Sequence, residues 1–361
     1  MASRARVALE TLLQQRRQQV LERQPPPDPH PSKMSPPRMV LRVPGLEAQQ
    51  FTDSFYRKGR AVIVPGAAAG WDAARKWPDL AWLYRQHGYR LVPVEIGVHG
   101  RGAWEERVMS LGSFIADHLL APPGKVSPAP EAAVAVAGES AEAHAHVGSE
   151  RRGREVAYLA QHALFTQIPS LQEDFAVPAH LWGRLPSARM TSCNAWFGTP
   201  GTVSPLHIDA DDNFLAQLAG HKYVRLYGRE QTANMYVHAG ASSTAEGRNS
   251  TYSQGNISRV TDVEAPDAAM FPLFAGCRRY KECVLGPGDM LFIPAGMWHY
   301  VRALDPPQPA AAATAHSPAQ VAGTAAAAAE TEGVPMDGGA AAVGFSMSIN
   351  FFFRTPTTGC Y

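Results

Sequence analysis

A chain of 361 residues, 45% hydrophobic and 18% charged, is long enough to bury one large core or two smaller ones. Its formal net charge of +1 gives no bulk electrostatic reason to bind nucleic acid or a membrane surface. Four cysteines (Cys193, Cys277, Cys283, Cys360) are too few and too scattered for a disulfide framework, and no run of about 18 apolar residues marks a membrane span.

Residues 1–39 read as a basic, Pro-rich, poorly ordered tail without a secretory apolar core. Val7, Leu9, Leu12, Leu13, Val20 and Leu21 would also suit a basic amphipathic helix, as in an organellar leader. Glu10, Glu22 and the Gln-rich stretch weigh against that, so the expected location is nuclear, cytoplasmic or both. Residues 40–361 are expected to form a single domain, with a mixed α/β part at 40–189. There "AVIVPG" and "YRLVPVEIG" read as strands, "LEAQQFTDSFYRKG" and "WPDLAWLYRQHG" as helices. "SLGSFIADHLLA" offers Ser110 as an N-cap. Two Ala/Pro/Gly-rich segments, 122–152 and 306–342, have too little apolar surface to offset the entropy of ordering, and read as surface insertions. The strand-like "VGFSMSINFFFRT" beyond the second must return to the same sheet.

From residue 190 to 361 the pattern becomes all-β. "TSCNAWFG", "FLAQLAG", "KYVRLYG", "CVLGPGDMLFIPAG", "WHYVRAL" and "FSMSINFFF" are short strands bounded by Gly and Pro. Such a run implies a sandwich, barrel or jelly roll.

Within this run lies "GTVSPLHIDADDNFLAQL". With 13 His and 32 acidic residues in the chain, about one His-x-Asp/Glu pair is expected by chance, so His207 and Asp209 mean little alone. In extended backbone, though, a spacing of two puts both side chains on one face. His299, in "GPGDMLFIPAGMWHYV", opens a later strand of the same region. Two His and one carboxylate are the facial triad of non-haem Fe(II) oxygenases, which leaves open positions for a bidentate co-substrate and O₂. A 2-oxo diacid also needs a cation at its far end. Lys222 is in phase with apolar Val224 and Leu226. The opposite reading has Tyr223, Arg225 and Tyr227 pointing inward and Lys222 solvated.

"NAWFGTPGTVSPLHIDADDNFLAQLAGHKYVRLYG", "YLAQHALFTQIPSL" and "LFIPAGMWHYVRAL" together resemble the JmjC family of Fe(II)/2-oxoglutarate oxygenases. Within it they are most similar to the small hydroxylase-type branch that includes Jumonji domain-containing protein five. The likeness runs from about residue 43 to 354, broken by the two insertions. It implies one catalytic domain that is mainly β with flanking helices (α+β), its core a double-stranded β-helix, the cupin-like jelly roll. It implies His207, Asp209 and His299 as Fe(II) ligands, with 2-oxoglutarate and O₂ as co-substrates. It resolves Lys222 as the anchor of 2-oxoglutarate, joined by Tyr158, Ser204, Asn213 and Asn350. Asn350 and Phe351 stand where close relatives carry a Trp pair. Glu95, Trp104 and Trp196 are implied as the substrate cleft, Glu95 pairing with an arginine guanidinium. Asp211 and Asp212 read as solvated loop charges, His162 and His221 as structural or solvated, and His144, His146 and His316 as belonging to the insertions.

The expected activity is hydroxylation of a protein or peptide, at an arginine side chain, with neither nucleic acid nor membrane as partner. The rivals are N-methyl-lysine demethylation of histone tails, a non-catalytic jelly-roll scaffold, and a cupin that uses another metal without 2-oxoglutarate. The chain shows no zinc-finger, PHD-like or Tudor-like reader pattern, which weighs against the first. The complete triad plus Lys222 weighs against the second, and Lys222 with Tyr158 against the third.

Overall fold

The computed structural model describes residues 38–98, 101–120, 155–177, 188–238, 255–305 and 344–354. The tail up to residue 37, both low-complexity segments, His144, His146, His316 and Cys360 lie outside the described residues. Among those described, the strands are β1 (Arg38–Met39), β2 (Leu41–Arg42), β3 (Val62–Val64), β4 (Leu91–Val98), β5 (Arg101–Ser110), β6 (Ala157–His162), β7 (Arg189–Gly198), β8 (Val203–Ile208), β9 (Asp212–Ala219), β10 (Lys222–Tyr227), β11 (Tyr280–Leu285), β12 (Met290–Ile293), β13 (Trp298–Ala303) and β14 (Ser346–Arg354). They form a five-stranded sheet, β1-β11-β10-β13-β8, and a nine-stranded sheet, β2-β3-β12-β9-β14-β7-β6-β4-β5. Only the short pairs β1–β11 and β2–β3 are parallel among these described strands. The mainly β, jelly-roll expectation is met.

The alternation of side chains sorts the core into layers. On β14, Met347, Ile349, Phe351 and Phe353 pack with Phe51, Trp77 and Leu83 of the helical layer. The intervening Ser346, Ser348, Asn350 and Phe352 take the other face, toward the five-stranded sheet. Between the sheets lie Leu215, Val224, Leu226, Leu291, Ile293 and Val301. Beyond the five-stranded sheet, Tyr223, Tyr227, Trp298 and Tyr300 pack under Met235, Val260, Phe271 and Phe274. β10 is therefore buried on both faces along its whole length. The choice between an inward Lys222 and an inward Tyr223–Arg225–Tyr227 face was a false one, because both faces are covered.

Three local readings change. Arg38 and Met39, assigned to the tail, pair with Lys281 and Glu282 of β11. β5 was not foreseen, since Glu105, Glu106 and Arg107 break any apolar alternation. It is an edge strand, where charged side chains are usual. The helix expected at "LEAQQFTDSFYRKG" is an α-turn, Ala48–Phe51, that widens over Thr52–Tyr56. The Ser110 cap is present: its Oγ accepts the amide of Ser113 at 3.0 Å. Cys193, Cys277 and Cys283 are free thiols. No helix among the described residues is long and apolar enough to cross a membrane.

Candidate metal and co-substrate site

A bulge builds the site. β8 and β13 are antiparallel, with His207 opposite His299 and Ser204 opposite Val301. Between those pairs, Pro205 and Leu206 on β8 face Tyr300 alone, the two-against-one count of a β-bulge. Without the extra residue, Ser204 and His207 would fall on opposite faces. With it, both line the space between the sheets, while Leu206 joins the outer core. Proline is tolerated there because a bulge does not need its missing ladder donor.

The two imidazole rings stand 4.0 Å apart, centroid to centroid. His207 Nδ1 lies 2.7 Å from the Pro205 carbonyl and His299 Nδ1 lies 3.0 Å from the Met297 carbonyl. A carbonyl only accepts, so each Nδ1 carries the proton and each Nε2 keeps a lone pair. Those Nε2 atoms are 3.8 and 3.4 Å from Asp209 Oδ2, just past the end of β8. Oδ2 is buried and has no hydrogen-bond partner among the described residues. Burial, then the neighbouring His299 ring, pushes His207 down to about 4. Burial pushes Asp209 up, but the two imidazoles outweigh it and hold the carboxyl at about 2. Two imidazoles, each tied at Nδ1 to a carbonyl, and a carboxylate turn their ligand atoms toward one spot, all within 4.8 Å of one another. This donor set fits a divalent cation with open coordination positions.

In the same cavity lies Lys222, 2% exposed. Its ammonium donates to Ser348 Oγ at 2.7 Å and, at 3.5 Å, to the Tyr158 hydroxyl. Burial with no compensating carboxylate holds its pKa down at about 7. Tyr158 is also 3.4 Å from Ser204 Oγ. Asn213 Oδ1, Asn350 Oδ1 and Trp196 Nε1 are buried without hydrogen-bond partners among the described residues. Unsatisfied buried polar groups are costly singly, and several converging on one cavity mark a place for a polar ligand. An ammonium at one end and a metal-ligand set at the other suit an anionic oxo-diacid.

The structure brings together His207, Asp209, His299, Tyr158, Ser204, Asn213, Lys222, Asn350 and Trp196, all lining this cavity. Glu95 and Trp104 do not line it. Glu95 is directly opposite Tyr158 on the neighbouring strand, and Trp104 Nε1 donates to Glu95 Oε2 at 3.4 Å. Two polar residues of the site were missed: Ser348, which accepts from Lys222, and Gln161, which lines the cavity. Ser348 shares the β14 face of Asn350, two residues away, so the pleat alone could have found it. Gln161 takes φ 45°, a left-handed conformation unusual for glutamine, where the β6–β7 register slips. No sequence signal marks it. Asp211 and Asp212 are not solvated loop charges. Asp211 pairs with Arg354 at 2.6 Å, and Asp212 accepts the amide of Ala295 at 2.8 Å.

Residues 48–359 match the cupin-like domain family. Over 266 residues the chain is 36% identical to lysine-specific demethylase 8 of Xenopus tropicalis, covering 73% of this chain and 50% of that protein. It is 30% identical over 268 residues to Jumonji C domain-containing protein 5 of Drosophila melanogaster, covering 74% and 57%. The chain belongs to the cupin-like family, in its JmjC branch. JmjC oxygenases use Fe(II) and 2-oxoglutarate, the pair that the metal-ligand set and Lys222 suit. This JmjC chain spans about half the length of the curated relatives it matches. A solved structure of YcfD, a ribosomal oxygenase from Escherichia coli, in complex with cobalt and 2-oxoglutarate aligns with a TM-score of 0.36 and 14% identity, over 87% of this chain and 53% of that one.

Proposed function

We propose that this JmjC domain is an Fe(II)- and 2-oxoglutarate-dependent oxygenase that hydroxylates an arginine side chain of a protein. The observation that carries the oxygenase reading is Lys222, an ammonium buried without a carboxylate partner, in one cavity with the His207–Asp209–His299 set. In this reading those three side chains hold iron. Lys222 and Tyr158 bind the far carboxylate of 2-oxoglutarate, and Ser204, Asn213 and Asn350 line its seat. Fe(II) with bound 2-oxoglutarate supplies oxidising power: O₂ is split so that one oxygen enters succinate, with loss of CO₂, and the other enters the substrate C–H bond. The chain supplies orientation and a water-poor pocket.

The arginine reading rests on Glu95. A guanidinium prefers a carboxylate in its own plane and aromatic faces along its stem. Glu95 is one strand from the cavity beside Trp104, with Trp196 on the cavity wall. The relatives named lysine-specific demethylases favour a second reading, removal of a methyl group from a methylated lysine. Either substrate is a protein, which fits nuclear or cytoplasmic residence. The test is Glu95→Ala with Fe(II), 2-oxoglutarate and an arginine peptide. Oxidation of the peptide should disappear while slow decay of 2-oxoglutarate without peptide persists. Undiminished oxidation of the arginine by the variant would remove Glu95 from the cleft.

A further inference from the structure

We infer that Asp212 is a positioning residue for the metal centre, tying the loop that carries Asp209 to the turn that leads into His299. The inference rests on the metal site proposed above and is independent of the arginine reading. The two ligand-bearing segments are far apart in sequence, and only their mutual placement makes a site.

The contacts between them are specific. Asp212 Oδ1 accepts the amide of Ala295 at 2.8 Å. The carbonyl of Asp209 accepts the next amide, that of Gly296, also at 2.8 Å. Two successive amides of the Pro294-Ala295-Gly296 turn are thus held by the two ends of the Asp209–Asp212 loop. Gly296 takes φ 75°, which lets the turn close without strain. The turn runs into Met297, whose carbonyl fixes His299 Nδ1. Displacing the turn therefore displaces the carbonyl that orients the third ligand.

The opposite side of the loop is tied as well. Asp211 accepts from Thr191 Oγ1 on β7 at 2.7 Å and from Arg354 Nε on β14 at 2.6 Å. Asp209 Oδ2 itself has no hydrogen-bond donor among the described residues, so the loop backbone sets where that oxygen sits. Apart from Asp209, which meets His299 at the metal site itself, Asp212 is the side chain of this loop that reaches the His299 segment among the described contacts. It touches neither ligand nor substrate and acts through the turn.

The test is titration of the full chain, freed of metal, with Co(II) alone, read by its visible absorption. Asp212→Ala removes the acceptor, whereas Asp212→Asn keeps a side-chain oxygen for the Ala295 amide. Loss of an outer partner typically costs about 10–100-fold in metal affinity, the range expected for the alanine variant. The asparagine variant should bind Co(II) nearly as the parent does, with the same spectrum. Parental affinity in Asp212→Ala overturns the inference, as does equal weakening in both variants. If the alanine variant does not fold, amide hydrogen exchange of the parent decides: slow exchange at Ala295 supports the tie, and exchange as fast as in an open loop refutes it. A parent chain that binds no Co(II) overturns the metal reading, and this inference with it.

Discussion

His207 on β8 faces His299 on β13 directly, and both rings are clamped through Nδ1 to backbone carbonyls so that each Nε2 points to Asp209. Replacing His207 or Asp209 by alanine should abolish Fe(II)-dependent 2-oxoglutarate turnover, because the remaining two ligands do not define a facial site. Both variants should still unfold cooperatively. Turnover near the parental rate in either one contradicts the triad.

Lys222→Met should show two effects of opposite sign. The methionine keeps the volume but loses the charge, so 2-oxoglutarate binding should weaken by about 1.5–3 kcal/mol, roughly 10- to 150-fold in Kd. Without 2-oxoglutarate, the variant should be at least as stable as the parent, since it no longer buries an ammonium lacking a carboxylate partner. Calorimetric titration and thermal unfolding read the two. An unchanged Kd would remove Lys222 from the anion site.

The same lysine makes binding depend on pH. Its pKa in the empty protein is lowered from 10.5 to about 7 by burial. Above that value the side chain is mostly neutral, yet a bound carboxylate needs it charged, so binding takes up a proton. Affinity of the Mn(II)-loaded protein for 2-oxoglutarate should therefore fall as pH rises from 7 to 9, approaching about tenfold per unit. The linkage also acts on folding. Between about 7 and 10.5 the unfolded chain binds more protons at this site, so its contribution to the stability of the empty protein rises with pH. Affinity constant across the range, or a Lys222→Met variant with the same slope, contradicts this.

The candidate metal-ligand set was legible because a short motif supplied two of its members and a turn signal placed His299 at the start of a strand. The bulge at Pro205 and Leu206 was not. Two residues opposing one is a matter of pairing, which no local pattern encodes, and it is what turns Ser204 and His207 to the same side. β5 was hidden for a related reason: an edge strand with one charged face lacks the apolar alternation that marks an inner strand. Asp211 and Asp212 looked like loop charges because their partners, Arg354 and Ala295, are remote in sequence. Ser348 was within reach, since Asn350 had been singled out and the pleat carries its face two residues back.

On the far side of the five-stranded sheet, Arg225 Nε donates to the Tyr223 hydroxyl at 2.7 Å, and that hydroxyl donates to Glu282 at 2.6 Å. Arg225 also reaches the Val263 carbonyl at 2.8 Å, pinning the covering segment. Arg225→Met leaves Glu282 buried without its guanidinium, which should cost about 3–5 kcal/mol in denaturant unfolding. Because the network lies outside the cavity, the folded variant should keep the parental Kd for 2-oxoglutarate. A loss under about 1 kcal/mol, the range of an exposed pair, would show that the network is not buried in solution.

The most direct measurement is mass spectrometry of peptides incubated with the protein, Fe(II), O₂ and 2-oxoglutarate, with omission of 2-oxoglutarate as control. The peptides carry arginine, dimethyl-lysine or trimethyl-lysine. The account predicts gain of one oxygen atom on the arginine peptide, dependent on 2-oxoglutarate and matched by succinate, with both methyl-lysine peptides unchanged. Loss of methyl groups with release of formaldehyde, and no change on arginine, would contradict it and make the protein a demethylase.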